Sequence, residues 1–173
     1  MTTAEKQFRA ELVSLLPRLR RFGRAITGHR QDADDLVQMA LERALTRREQ
    51  WEAGSRLLSW LFRIMQNLWI DELRARSRRD RVFAPEEAGE HVGVSTTEAQ
   101  IDALAVRKAM DRLNKDQRIA VSLVLVEGLP YREAAEVLGV PIGTLTSRLA
   151  RAREQLQATL GDLAPANGME AGR

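Results

Sequence analysis

The stretch at residues 127–156, EGLPYREAAEVLGVPIGTLTSRLARAREQL, constrains the fold more than any other part of the chain, because its spacing admits few arrangements. A short helix is expected over residues 131–138, stopped by Gly139. Val140, Pro141 and Ile142 then turn the chain into a second helix that begins near Gly143 and Thr144. This is helix-turn-helix order. Ala135 is small enough to let two helices cross closely, and Gly139 can take the positive φ of a tight turn. Leu145, six residues beyond that glycine, fills the angle between the helices. A plain helical hairpin accepts the same three residues, so the choice falls to the exposed face of the second helix.

That face follows from a rotation of about 100° per residue. With Leu145 at zero, Leu149 and Ala152 lie within about 40°, and Leu156 and Ile142 lie at about 20° and 60°, which makes this the buried stripe. Gly143, Ser147, Ala150, Arg151 and Glu154 lie opposite, flanked by Thr144, Thr146 and Arg148. Glycine permits close backbone approach, helix amino-terminal N–H groups attract phosphate, and Arg or Ser reaches base edges in a major groove. Arg153, at about 80°, reads as a solvated or phosphate-facing charge. The run at residues 143–153, GTLTSRLARAR, resembles the carboxy-terminal recognition helix of bacterial sigma factors of the extracytoplasmic-function (ECF) class. The resemblance implies that Gly143, Thr144, Thr146, Ser147, Arg148 and Arg151 contact the minus-35 promoter element. Ser147 and Arg151 would read bases, while Thr144 and Arg148 would position the helix on phosphates. Ala150 at a base-facing position leaves the preferred promoter sequence open.

The rest of the chain narrows the class. Its 173 residues suit one medium domain or two small ones, and 44% apolar residues suffice to bury cores. The net charge of +3 says little about a nucleic-acid partner, but the charge is segregated. Residues 74–81 hold five arginines and one aspartate, whereas residues 82–102 hold five acids and no Lys or Arg. Without cysteine there is no disulfide framework, zinc-thiolate site or thiol nucleophile. No apolar run approaches the roughly 20 residues that span a bilayer, and the amino terminus MTTAEKQFRAEL lacks a signal-peptide core. A cytoplasmic protein is expected, with no membrane segment of its own. No P-loop, dinucleotide fingerprint, nucleophile triad or metal cluster is recognisable, so neither an enzyme nor a cofactor is expected. His29 and His91, the two histidines, have no ligand pattern around them.

In the amino-terminal half, Phe8, Leu12, Leu15, Leu19, Phe22 and Ile26 form one helical face. Pro17 is expected to kink this helix or start a new one, and Gly28 to end it. In the following HRQDADDLVQ, Asp32 can cap a second helix while Asp34 and Asp35 meet the dipole of its first turn. Leu36, Val37, Ala40, Leu41, Ala44 and Leu45 are its expected buried side. The same DADDLVQ resembles the acidic motif with which sigma factors grip the clamp helices of core RNA polymerase. The resemblance implies polymerase contacts at Asp32, Asp34, Asp35, Leu36 and Gln38.

A long helix is expected from about residue 56 to residue 76, with Leu57, Leu58, Leu61, Ile64, Met65, Leu68, Trp69 and Leu73 as its apolar sector. Trp60, Arg63, Asn67, Asp71 and Arg74 form a second, continuous stripe. An aromatic ring, an amide and two arginines ahead of an arginine-rich loop suit single-stranded nucleic acid, although Asp71 with Arg74 also makes an ordinary surface pair. The pattern resembles the part of ECF sigma factors that binds and melts the minus-10 element. By that resemblance a loop over residues 75–83 would capture a flipped base, with Arg76, Arg78, Arg79 and Arg81 holding the backbone.

Residues 82–100, with Pro85, Gly89 and Gly93, read as a mobile acidic linker, which by resemblance could run near the polymerase active centre. Leu104, Met110 and Leu113 define the next helix, and residues 117–127 another, with the β-branched run at 121–126 read as buried helix. The expected architecture is all-α, two small helical domains joined by a flexible linker. Residues 1–81 form a sigma region 2-like domain, 101–160 a region 4-like helix-turn-helix domain, and 161–173 a disordered tail. The resemblance implies core RNA polymerase, promoter DNA and an anti-sigma factor as partners. A sigma-like decoy that binds an anti-sigma factor without touching DNA is the alternative, but Arg63, Arg74, Arg148 and Arg151 are intact. An ordinary repressor dimer leaves the amino-terminal stripe unexplained.

Overall fold

A computed structural model describes residues 2–52, 54–82 and 98–163, which fold as two packed groups of helices. The first comprises α1 (Thr3–Thr27), α2 (Arg30–Thr46) and α3 (Leu57–Val82). The second comprises α4 (Glu98–Asp111), α5 (Lys115–Val121), α6 (Tyr131–Leu138) and α7 (Ile142–Leu163). No strand occurs among the described residues.

Thr2 caps α1 by accepting the Glu5 N–H, and Gly28 ends it at φ 76°, where its N–H reaches the Arg24 carbonyl at 3.0 Å. Phe8, Leu12, Leu19, Phe22 and Ile26 are buried as the spacing predicts. Pro17 does not start a new helix, because α1 is continuous through it. The carbonyl that loses its donor belongs to Val13, which is 64% exposed and open to water, while Leu12 and Leu19 anchor the turns on either side.

In α2 the expected cap is corrected. His29 stands at the N-cap without a side-chain hydrogen bond, and Asp32 lies inside the first turn, where its carboxylate reaches Arg76 of α3. Leu36, Val37, Ala40 and Ala44 are buried, but Leu45, at the edge of that stripe, is exposed. Ala33 joins the core because α1 passes close by at Gly23.

The boundaries of α3 also differ. The segment expected as a loop from residue 75 is helical as far as Val82. Arginines are good helix formers, Glu72 and Arg76 pair one turn apart at 2.8 Å, and Arg79 and Arg81 sit in the last turn, where the dipole favours positive charge. The proposed linker is helical at both ends, since α4 starts at Glu98, and its residues 83–97 lie outside the described residues, as does the tail from residue 164.

In the second group, Asn114 and Gln117 form a reciprocal capping box at the start of α5. The apolar run after α5 is a π-helical turn (Ser122–Val126), closed by the Glu127 N–H on the Ser122 carbonyl at 3.0 Å. It is helical as expected but only partly buried. Leu123 is in the core, while Leu125 and Val126 reach the surface, because consecutive residues cannot share one helical face. Met110 and Leu113 are buried, whereas Leu104 is exposed. The buried apolar residues of both groups form one continuous cluster, with α1 against the π-helical turn and α5, and α3 against α6.

Candidate nucleic-acid interface

Helices α6 and α7 meet at a turn set by three local features. Gly139 has φ 65° and ψ 35°, and the Val140 N–H donates to the Ala135 carbonyl at 3.1 Å. The Pro141 carbonyl accepts from Thr144 and Leu145, which starts α7, and Leu145 is wholly buried in the same core that takes Ala135. With Leu149 and Ala152 buried as well, the rotation of α7 is fixed. Gly143, Thr146, Ser147, Ala150 and Arg151 are exposed, and Thr144 is half-buried. Open space surrounds Gly143. Ile142, expected on the buried stripe, is 48% exposed because it occupies the first position of the helix, ahead of the crossing. Three polar groups have protein partners. Thr146 Oγ1 donates to the Ile142 carbonyl, Arg148 Nη2 lies 3.5 Å from Asp116 Oδ2, and Arg153 Nη2 donates to the Tyr131 hydroxyl.

The α3 stripe is more heavily engaged. Trp60 is half-buried against the core edge, and Arg63 is exposed but donates through Nη2 to the Glu136 carbonyl of α6. Asn67 accepts from Gln66, and Arg74 Nη1 stands 3.6 Å from Asp71 Oδ1. Arg78 is exposed, and Arg79 pairs with Glu72 at 3.1 Å. Arg76, expected on the DNA backbone, is instead bound inside the first group of helices. Its Nη1 and Nη2 grip both oxygens of Asp32 at 3.0 and 2.7 Å, its Nε donates to Glu72 at 2.8 Å, and its guanidinium lies 5.3 Å from the Trp69 ring centroid. Hydrogen bonding to Arg76 holds the Asp32 and Glu72 carboxyls below the usual carboxylate range, and the same bonds raise the guanidinium pKa further.

On α2, Asp34, Asp35 and Gln38 face outward, with Asp35 accepting from Gln31 at 3.1 Å and Gln38 donating to Glu42 at 3.3 Å. Asp35 and Gln38, but not Asp34, rim a cleft of about 440 Å³ that also holds Met39 and Trp69. Leu36, expected among the contact residues, is buried at 1% exposure and forms part of the floor of that cleft. Among the described residues no cluster of His, Cys, Asp or Glu could hold a metal ion, and no helix is long and apolar enough to cross a membrane.

Comparison with known proteins decides the family. Residues 12–66 match the family model of the sigma2 domain of PhyR, and residues 103–156 match that of sigma-70 region 4. The ECF RNA polymerase sigma factor EcfG of Rhodopseudomonas palustris is 36% identical over 152 residues, which span 88% of this chain and 84% of that protein. The chain belongs to the ECF RNA polymerase sigma factors. SigM of Mycobacterium tuberculosis, another ECF sigma factor, is 36% identical over 146 residues, covering 84% of this sigma factor and 72% of its relative. Among solved structures, the sigma factor RpoE of Bartonella quintana, in complex with the anti-sigma factor NepR, superposes with a TM-score of 0.75 at 36% identity. That match covers 90% of this chain and 98% of RpoE. CnrH, in complex with the cytosolic domain of CnrY, shares the fold at a TM-score of 0.67 and 22% identity, covering 91% of this chain and 89% of its own.

Several residues that organise this site were absent from the sequence reading. Glu127 has a fully buried side chain between Arg18 and Arg21 of α1, and Glu133 of α6 binds Arg56 and Ser59 beside the stripe. The only hint in the sequence is an acid placed directly after the apolar run at 121–126, and nothing there names its partners.

Proposed function

We propose that this sigma factor brings core RNA polymerase to its promoters through two DNA-reading faces, α7 for the minus-35 element and the α3 stripe for the melted minus-10 element. The observation that carries the reading is the fixed rotation of α7. Burial of Leu145 and Leu149 presents Gly143, Ser147 and Arg151 outward together, as a helix entering a major groove requires. Ser147 and Arg151 read base edges, and Thr144, Thr146 and Arg148 position the helix on phosphates. Trp60 stacks on an unpaired base, Arg63, Arg74, Arg78 and Arg79 hold phosphates, and Asn67 and Asp71 provide polar contacts. Asp34, Asp35 and Gln38 form the polymerase-facing surface, which Asp32 supports from within through Arg76.

Residues 1–81 and 101–160 act as the two DNA-binding modules, with residues 82–100 as their tether. Each module binds weakly alone, and the tether turns the second contact into an intramolecular one. An anti-sigma factor is the regulatory partner, as NepR is for RpoE in their complex. The match to the sigma2 domain of PhyR, which is an anti-anti-sigma factor in its own complex with NepR, keeps a decoy role as the second reading. The similarity of nearly the whole chain to ECF sigma factors supports initiation instead.

In vitro transcription with core polymerase over a randomised promoter library tests the choice. The expected result is factor-dependent initiation from a subset of sequences sharing two spaced elements. Binding to an anti-sigma factor with no transcription from any sequence supports the decoy.

A further inference from the structure

We infer that the two groups of helices form a closed, self-masked state, in which α6 occupies the groove meant for the promoter strand and Glu127 is the latch that holds it there. The inference rests on the reading of the α3 stripe as a single-strand site.

The latch lies where the π-helical turn meets α1. The Glu127 carboxylate accepts from Arg18 Nε at 2.9 Å and from Arg21 Nε and Nη2 at 2.7 and 3.0 Å, while its backbone carbonyl accepts from Arg18 Nη2 at 2.8 Å. Its side chain is wholly shielded from water, and such a carboxylate persists only with charge-assisted partners on its oxygens. Both arginines come from the other group of helices, so separating the groups removes every one of these bonds. Arg118 of α5 adds a second tie by donating to the Ala25 carbonyl at 2.7 Å. Gly28 makes room for it, since a Cβ there would stand 2.8 Å from Arg118 Nη2.

The masking lies at the other end of the interface. A cleft of about 770 Å³ lies between α3 and α6; its α3 side carries Arg56, Trp60 and Arg63, an aromatic and cationic set of the kind that binds unpaired nucleic acid, and its α6 side carries Glu133 and Glu136. In the closed state Glu133 accepts from Arg56 at 3.0 Å and from Ser59, and the Glu136 carbonyl accepts from Arg63. A carboxylate and a carbonyl thus hold the donors that strand phosphates would need. DNA must displace α6 to reach them, and the apparent affinity falls by the fraction of molecules that are open.

The test uses the full chain and the variants Glu127→Gln, Arg18→Gln with Arg21→Gln, and Glu133→Gln, each compared at parental helicity by circular dichroism. The last neutralises a carboxylate at the rim of the cleft, weakening its bonds to the exposed Arg56 and to Ser59, and retains the fold if the buried changes do not. Small-angle scattering reports opening, and fluorescence anisotropy reports affinity for a labelled random-sequence single strand of about 12 nucleotides. The expected result is a larger radius of gyration for the two latch variants and an affinity gain of about tenfold for all folded variants, abolished by adding Trp60→Ala. An unchanged radius in the latch variants overturns the latch. Parental affinity in every variant, still sensitive to Trp60→Ala, overturns the masking while leaving the stripe as a strand site. A gain that survives Trp60→Ala rejects the strand site itself, and the masking with it.

Discussion

The recognition face of α7 and the stripe of α3 both carry arginines at helical spacing, yet they stand in opposite circumstances. Arg151 is exposed at the centre of its face, and the buried Leu145 and Leu149 aim it without binding it. Arg63 and Arg76 on α3 are already hydrogen-bonded to oxygens of other helices, the Glu136 carbonyl and the Asp32 carboxylate. A free arginine can exchange water for a base edge, whereas a bound one must first give up its protein partner. The two arginines on α3 differ from each other as well. Arg76 is held bidentately within one group of helices and is a structural brace, while Arg63 bridges the two groups and is released when they part.

The largest expected effect tests whether aim depends on the core. Leu145→Ala leaves a cavity at the helix crossing and should cost about 2–5 kcal/mol, read as a lower urea midpoint, with loss of duplex minus-35 binding. Parental stability would mean that the crossing, and with it the fixed rotation of α7, is held by other contacts.

Within the α7 face, Arg151→Ala should lose about 1–3 kcal/mol of discrimination at one or two base positions. Arg148→Ala should weaken all sequences alike and lower the salt slope by about one. Competition binding on single-base variants of the minus-35 element, at two salt concentrations, separates the two roles. Uniform weakening by Arg151→Ala contradicts the assignment.

A smaller effect distinguishes brace from surface on α2. Asp35→Ala should reduce affinity for core polymerase several-fold with unchanged thermal stability, because Asp35 is exposed and its partner Gln31 lies on the same helix. Asp32→Ala should lower stability by removing the bidentate partner of Arg76, which keeps only its bond to Glu72. Calorimetry and a core-binding titration read the two independently, and equal effects of both changes on stability would erase the distinction.

The smallest effect is the pH signature of the brace. The Asp32 and Glu72 carboxyls titrate below their ordinary range when folded, so their stabilisation is present above about pH 4 and is lost as pH falls through the depressed folded values. The urea midpoint of Arg76→Gln should lie below that of the parent at neutral pH, and the gap should narrow below about pH 4. A gap of constant size from pH 7 to acid would assign the role of Arg76 to packing on Trp69 rather than to charge.

What the sequence alone determined is what depends on neighbours a few residues apart. Ala135, Gly139 and Leu145 specify the turn and the aim of α7, because helix period, a positive-φ stop and one plug residue act over short separations. The apolar stripes of α1 and α3 were legible for the same reason, and so was the two-part helical organisation. Tertiary structure decided the continuity of α1 through Pro17, where packing on both sides overrides a local breaker, and the pairing of every long-range charge. Asp32 read as a cap from its position, yet its partner is Arg76, 44 residues away. Glu127 meets Arg18 across 109 residues, and Glu133 meets Arg56 across 77. No periodicity encodes those separations. A carboxylate binds whichever cation the path of the chain brings within reach, and that path is fixed only when the helices pack.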